Sequence, residues 1–77
     1  MKIRRPTPAA ERKAAAAFNA RHPVGARVHY WPGTLRGAPL TSATRSEAYL
    51  LGGHTAVVLI EGHAGAVALS HVEPADG

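Results

Sequence analysis

The hydrophobic pattern of the chain changes once, at Pro23. Before this proline, the run from Ala9 to Ala20 is rich in alanine, the residue with the highest helix propensity. Thr7 and Pro8 have the side chains preferred at an N-cap and at the first helical position. Because helices rarely continue into a proline, Pro23 ends the element. The pattern predicts a disordered basic tail over residues 1–6 and an α-helix over residues 7–22.

The predicted helix carries one thin apolar stripe, formed by Ala10, Ala14, Ala17 and Phe18. Of these four side chains only Phe18 can bury much area, so the helix needs a partner surface to be stable. That surface is either the rest of the same chain or a neighbouring molecule, and the sequence leaves the two open.

After Pro23, short apolar runs alternate with glycine turns, a pattern typical of a small barrel or sandwich. Five strands are predicted, with one turn of 3₁₀ helix at residues 70–72; the strands cover residues 24–31, 40–51, 55–61, 66–70 and a short segment near Glu73. Closure would remove edges that a small sheet cannot protect. The predicted fold class is mainly β: a small five-stranded SH3-like barrel over residues 23–74, preceded by one N-terminal α-helix. The chain is expected to fray from Pro74, leaving residues 75–77 loose.

The strand predicted over residues 55–61 is apolar on both faces, because Val57, Val58, Leu59 and Ile60 are consecutive. A strand with one solvated face would alternate instead. We therefore expect a cover for its second face. The helix that carries Phe18 is one choice, and a second copy of the protein is the other.

Several short motifs carry a resemblance to other proteins; they are Val28-His29-Tyr30-Trp31-Pro32-Gly33, Thr44-Arg45-Ser46, Gly52-Gly53-His54-Thr55, Val58, Glu61-Gly62-His63-Ala64-Gly65 and Ala68-Leu69-Ser70-His71-Val72. Through them, the stretch from Pro23 to Pro74 resembles a group of short uncharacterised proteins of bacteria and their phages or prophages. The resemblance covers about two thirds of the chain. It implies an SH3-like barrel and transfers no activity.

Charge and composition narrow the class of protein. The net charge is +4, but residues 1–36 contribute +7 and residues 37–77 contribute −3. A basic arm on a mildly acidic body is found in proteins that touch nucleic acid, and also in small domains kept soluble by charge. The absence of cysteine excludes disulfides and thiolate metal sites and fits a reducing compartment. No apolar run reaches the roughly 18 residues of a membrane span, and no apolar segment follows the basic start. We predict a cytoplasmic protein with no membrane partner.

The five histidines do not form a plausible metal site. His54 and His63 flank one predicted strand and would lie over 20 Å apart, at about 3.3 Å per residue. His54 and His71 could meet, but a tetrahedral zinc ion would need two more ligands. We interpret the histidines as turn residues that bond to the backbone, and we predict no metal and no cofactor.

No catalytic residue is predicted either. Ser46, Thr55 and Ser70 are available hydroxyls, but none lies in a nucleophile-elbow pattern. A domain of this size is also expected to be too small for a deep pocket. The sequence therefore predicts a protein that is not an enzyme.

The most informative surface is the first predicted strand, where Val28 and Tyr30 share one face while Arg27, His29 and Trp31 share the other. An outward Trp31 could hold a proline-rich peptide or stack a base, whereas an inward Trp31 would be core. Our first hypothesis is a non-enzymatic interaction module that binds a protein partner or itself. The predicted partner-binding residues are Arg27, Tyr30, Trp31, Arg45 and Tyr49.

Two alternatives stay open. The first is a small nucleic-acid-binding accessory protein, because basic residues of the arm could neutralise phosphates; these residues are Lys2, Arg4, Arg5, Arg12 and Lys13. The second is an inhibitor of a host enzyme or defence complex, which a phage-type setting permits but which no residue selects.

Overall fold

A computed structural model of the chain describes residues 7–32 and 37–75. The predicted tail over residues 1–6 lies outside the described residues, as do Gly33 of the predicted Pro32-Gly33 turn and residues 76–77 of the predicted frayed end. Within the described residues lie one α-helix, six short strands and one turn of 3₁₀ helix. In chain order these are α1 (Pro8–Arg21), β1 (Arg27–Tyr30), β2 (Leu40–Ala43), β3 (Tyr49–Leu51), β4 (Thr55–Leu59), β5 (Ala66–Ala68), the 3₁₀ turn (Leu69–His71) and β6 (Val72–Pro74).

Helix α1 begins and ends where its sequence predicts. The Thr7 hydroxyl accepts a hydrogen bond from the Ala10 N–H at 3.1 Å, which satisfies one of the free donors of the first turn. At the other end, the His22 N–H donates to the Phe18 carbonyl at 2.8 Å, and Pro23 follows. In the part of the chain that the structure describes, no helix has the length and apolar character needed to cross a membrane.

The strands form two antiparallel sheets of three strands each. The first sheet has the order β2-β1-β6, and the second has the order β3-β4-β5. A single bridge between Thr44 and Ile60 links them. The strand predicted over residues 40–51 is split into β2 and β3 by this corner, which explains why six strands replace five. A mainly β fold with one helix is confirmed. The described residues make two small open sheets, so the closed five-stranded barrel is not confirmed.

The hydrophobic core lies between the inner faces of the two sheets. Val28 of the first sheet and Val58 of the second are both 0 % exposed, as is Ile60 at the bridge. Ala15 of α1 belongs to the same cluster, and Phe18 packs against it. The helix therefore covers the sheets of its own chain.

The face of α1 that meets the sheets differs from the predicted stripe. Ala10, Ala14 and Ala17 are exposed, whereas the more buried positions are Glu11, Ala15, Phe18, Asn19 and His22. At about 100° per residue, the helix is rotated by roughly a quarter turn from the predicted orientation. Alanine methyl groups stabilise any one orientation only weakly, so the contacts of larger and polar side chains decide it.

The ordered chain extends further toward the C-terminus than predicted. Pro74 is the last residue of β6 and lies opposite Val28 in the sheet. The Ala75 N–H then donates to the Arg27 carbonyl at 3.0 Å. These contacts hold two residues that were expected to fray.

Candidate functional site

The outer face of the first sheet is polar. Arg27 and His29 point outward from β1, with Ala43 and Thr41 of β2 directly opposite them. On the other side, Glu73 of β6 lies opposite His29. The His29 Nδ1 and the Thr41 Oγ1 are 2.9 Å apart and share a hydrogen bond. This face needs no further cover, because its side chains can be solvated.

The outer face of the second sheet is apolar. One row across it consists of Tyr49, Val57 and Ala68, which are register partners. Leu59 and Ala66 form the next row, and Leu51 lies opposite Thr55 at the far end. We call the set Tyr49, Leu51, Val57, Leu59, Ala66 and Ala68 the outer apolar face. Its centre, Val57, is 3 % exposed, whereas Tyr49 and Leu51 are 40 % and 52 % exposed.

Helix α1 does not cover the outer apolar face. Its Ala15 joins the cluster that contains Ala56 and Val58, whose side chains point to the inner side of β4. Val57 points the opposite way and lies outside that cluster. Strand β4 is thus apolar on both faces, as its sequence predicts, and Val57 lies between its register partners Tyr49 and Ala68 on the second face.

Tyr30 and Arg45, two of the predicted partner-binding residues, contribute to the core and to a turn. Tyr30 is 5 % exposed and belongs to the core, with the His63 ring packed edge-on at 5.6 Å. The Arg45 guanidinium donates from Nε to the Ile60 carbonyl at 3.1 Å and from Nη2 to the His63 carbonyl at 3.3 Å. Arg45 therefore holds the turn after β4, although part of its side chain is exposed.

Trp31 lies just after β1 and is half-buried. Its indole N–H donates to the Gly37 carbonyl at 3.1 Å. Its backbone is tied to His71, since the Trp31 N–H donates to the His71 carbonyl at 3.0 Å. Of the five predicted residues, Arg27 begins β1 and Trp31 follows the end of that strand. Tyr49 lies on the outer face of the second sheet, so the structure does not gather the set into one surface.

The predicted nucleic-acid-binding residues fall in two groups. Lys2, Arg4 and Arg5 lie outside the described residues. Arg12 and Lys13 are exposed on α1, together with Arg21. At about 100° per residue, Lys13 points directly away from the sheets while Arg12 and Arg21 lie on opposite flanks of the helix. The three cations do not line up into a stripe.

The histidines make local contacts in separate parts of the molecule. The His71 Nδ1 lies 3.2 Å from the Trp31 carbonyl oxygen, and the His54 Nδ1 lies 3.4 Å from the Thr55 hydroxyl. The His22 ring packs at 4.9 Å from the Phe18 ring. Over residues 7–32 and 37–75, no group of three or more potential metal-ligating side chains comes together.

Two polar residues of α1 that the sequence analysis did not single out attach the helix to the second sheet. Asn19 accepts from the Ala48 N–H at 2.7 Å and donates to the Ala48 carbonyl at 3.0 Å. Glu11 accepts from the Ala56 N–H at 2.7 Å. The signal present in the sequence is the spacing of Glu11, Ala15 and Asn19 at intervals of four, which places them on one helix face.

A cleft of about 620 Å³ opens where the start of α1 faces β4 and the end of β5. Its lining consists of Glu11, Ala14, His54, Thr55, Ala56, Ala68, Leu69 and Ser70. Small side chains leave this space open. Beyond Ala68 the chain turns into the 3₁₀ helix, and the Glu11 carboxylate accepts from Ala56 beside it. Its volume lies within the range of ligand sites and is larger than the sequence predicts for a domain of this size.

Fold and surfaces together define a small, mainly β domain with one helix, one polar sheet face and one apolar sheet face. Comparisons with protein-family models, curated proteins and solved structures gave no match to this chain. Its function is therefore argued from its own residues.

Proposed function

We propose that this protein is a non-enzymatic interaction module that binds a protein partner, or a second copy of itself, through the outer apolar face. The carrying observation is the exposure of Tyr49 and Leu51 above the buried Val57. Contiguous apolar surface on a small domain is typical of protein interfaces, and exposed tyrosine is a favoured anchor there.

The proposed interface differs from the surface that the sequence predicts. Of that surface, only Tyr49 belongs to the outer apolar face. Tyr30 supports the core and Arg45 supports a turn. Arg27 and Trp31 belong to the first sheet, whose outer face is polar. We therefore keep the predicted class of function and assign it to the second sheet.

Three further predictions remain part of the proposal: the SH3-like arrangement, the cytoplasmic setting and the phage or prophage setting. The Thr44–Ile60 bridge and the 3₁₀ turn before β6 support an SH3-like arrangement of the two sheets. A cytoplasmic setting is supported by the absence of cysteine. A phage or prophage setting, and with it inhibition of a host enzyme or defence complex, follows from the resemblance alone.

Self-association is tested by sedimentation equilibrium over a wide protein concentration range. Leu51→Glu places a charge on the outer apolar face, and Thr41→Glu is the matched change on the polar face. If a second copy is the partner, the wild type and Thr41→Glu form dimers while Leu51→Glu stays monomeric. Equal loss of dimer in both variants would remove the outer apolar face as the interface.

A different protein partner is tested by a photoreactive residue at position 51, compared with the same residue at position 41. Crosslinking is carried out in the cells that express the protein, and its products are detected as discrete bands of higher mass on a denaturing gel. We expect a defined band from position 51 and not from position 41. A monomer that gives the same bands from both positions, or none from either, would contradict the proposal.

Nucleic-acid binding is the second candidate, and the exposure of Arg12 and Lys13 on α1 favours it. Labelled DNA and RNA are titrated at two salt concentrations, with the double change Arg12→Gln and Lys13→Gln as the test variant. Binding through phosphates predicts a steep loss of affinity with salt and a further loss in the variant. Weak binding that is unaffected by both would eliminate this function.

A further inference from the structure

The cleft beside α1 is continuous with the outer apolar face. Thr55 lies opposite Leu51, and Ala68 lies opposite Val57, so both belong to rows of the second sheet's outer side. Both residues also line the cleft. A chain segment that lies across the outer apolar face therefore reaches the mouth of the cleft at the end of β5.

The chemistry of the cleft favours a cation. Among the described residues that line the cleft, Glu11 is the acidic one, His54 carries the imidazole, and none is a lysine or an arginine. One carboxylate oxygen accepts from the Ala56 N–H, but a carboxylate has about four lone-pair sites, so it can accept further bonds. The hydroxyls of Thr55 and Ser70 add acceptors. The cleft is thus a local acidic site on a chain whose net charge is +4.

The apolar part of the lining fits the stem of a long cationic side chain. Four of the residues that line the cleft are aliphatic: Ala14, Ala56, Ala68 and Leu69. Lysine and arginine bury their methylene stems on apolar surface while the charged group meets polar partners. A volume of about 620 Å³ holds such a side chain together with water.

We propose that the protein partner seated on the outer apolar face inserts one lysine or arginine side chain into this cleft, with its charged group on Glu11. This inference rests on the proposed function and names the partner's chemistry: an apolar segment that carries a cationic residue. The contact sets the position of the partner along the sheet, because an apolar face alone specifies register weakly.

The cleft is tested on the full chain by ¹⁵N NMR titration with butylguanidinium and butylammonium chloride. Butanol and sodium butyrate are the neutral and anionic probes of matched size. We expect both cations to shift the amide signals of Ala56 and Ser70 in a saturable way, and butyrate to leave them unchanged. Equal shifts with butyrate and the cations would overturn the proposal.

Two pairs of variants locate the binding site. Glu11→Gln keeps an oxygen that can accept from Ala56 but loses the charge, and should weaken cation binding by about tenfold. Glu73→Gln, the same change on the first sheet, should leave it unaltered. Ala14→Leu fills the cleft and should abolish binding, whereas Ala16→Leu, on an exposed part of α1 outside the cleft, should not. Retained affinity in both Glu11→Gln and Ala14→Leu would show that the cations bind elsewhere.

The partner's contribution is tested with capped peptides in which a central arginine is flanked by valines, each compared with its glutamine counterpart. We expect the arginine peptide to shift both Ala56 and Val57, and to lose about tenfold in affinity in Glu11→Gln. A free amine that binds without any such peptide preference would mark a small-molecule site and overturn the proposal.

Failure of this inference can be separated from failure of the proposed function. Crosslinking from position 51 that persists unchanged in Glu11→Gln and Ala14→Leu would keep the interaction module and reject the cationic anchor. Cation-selective shifts without any crosslink or dimer at position 51 would reject the module itself, and the anchor that rests on it.

Discussion

The two sheets of this protein share a core but differ in the faces they turn outward. The first sheet presents Arg27, His29 and Glu73 to solvent, whereas the second presents Tyr49 and Leu51 above a buried Val57. Both inner faces supply fully buried valines to the same cluster. Val57 is as well buried as the valines of the inner faces, so the two sheets differ in the exposed apolar side chains beside it, Tyr49 and Leu51. We assign this exposed apolar surface to binding.

The comparison also explains the position of α1. Helix and second sheet meet through two polar attachments, Glu11 to Ala56 and Asn19 to Ala48, and through the apolar contacts of Ala15 and Phe18. The attachments satisfy backbone groups next to β3 and within β4 that would otherwise lack partners. The helix therefore completes the inner side of the second sheet and leaves the outer side open.

The largest expected effect separates the two faces of β4. Val58→Ala should lower the free energy of unfolding by about 2–3 kcal/mol, because it leaves a cavity in the shared core. Val57→Ala should cost about 1 kcal/mol, since its neighbours on the outer apolar face can relax into the space. Urea denaturation at several protein concentrations measures both. Equal losses in the free energy of unfolding of the monomer would mean that the outer apolar face is a second core. The two faces of β4 would then not differ in their role.

The next effect tests the attachment of α1. Asn19→Ala leaves the N–H and carbonyl of the buried Ala48 without their partner, and should cost about 2 kcal/mol. Asn19→Asp keeps the acceptor for the Ala48 N–H. Its unfolding temperature should therefore lie between those of Asn19→Ala and the wild type. Thermal unfolding followed by circular dichroism gives the order. If Asn19→Ala unfolds at the wild-type temperature, the bonds between Asn19 and Ala48 do not stabilise the attachment of the helix.

A smaller effect distinguishes the two arginines that the sequence grouped together. Arg45→Ala removes two donors to the turn carbonyls of Ile60 and His63, and should cost about 1 kcal/mol after allowance for partial exposure. Arg27→Ala on the polar outer face should change the free energy of unfolding by less than about 0.5 kcal/mol. Chemical denaturation of the pair checks this, and the reverse order would contradict a structural role for Arg45.

The smallest expected effects are those of the interface variants on folding. Leu51→Glu and Thr41→Glu are exposed changes on opposite sheets, and each should alter the free energy of unfolding of the monomer by about 0.5 kcal/mol or less. These changes in the free energy of unfolding are measured by denaturation at the lowest usable protein concentration, where any dimer has dissociated. A large loss in Leu51→Glu would show that Leu51 serves the fold, and its loss of binding would then carry no weight.

Local signals in the sequence predicted the parts of the fold that depend on a few adjacent residues. Thr7 and Pro8 predict the start of α1, and the glycine turns at Gly52-Gly53 and after Ile60 predict the limits of β4. The Gly52 and Gly53 backbones have φ of +64° and +82°, a conformation that favours glycine. The split of the predicted strand at residues 40–51 was missed because the corner is made by Thr44, a buried residue whose partners Gly25 and Ile60 are distant in sequence.

The class of the site remains a proposal, and of the five predicted residues only Tyr49 lies on the proposed interface. An exposed aromatic and arginine surface was expected, but Tyr30, Trp31 and Arg45 have partners in the fold that spacing along one strand cannot reveal. The consecutive apolar residues of β4 predicted a second apolar face on this strand. The cleft was not foreseeable, because Glu11 reads in the sequence as an ordinary first-turn acid.

Capping, glycine turns and alternation act over a few residues, so the sequence alone specifies a capped helix, the short strands that follow it and a β4 that is apolar on both sides. The inward face of the helix, the junction of the two sheets and the exposure of the residues around Val57 depend on the folded chain. These outcomes depend on contacts such as Glu11 with Ala56, 45 residues apart, and Asn19 with Ala48, 29 residues apart. Their energies arise only when distant segments of the chain are brought together.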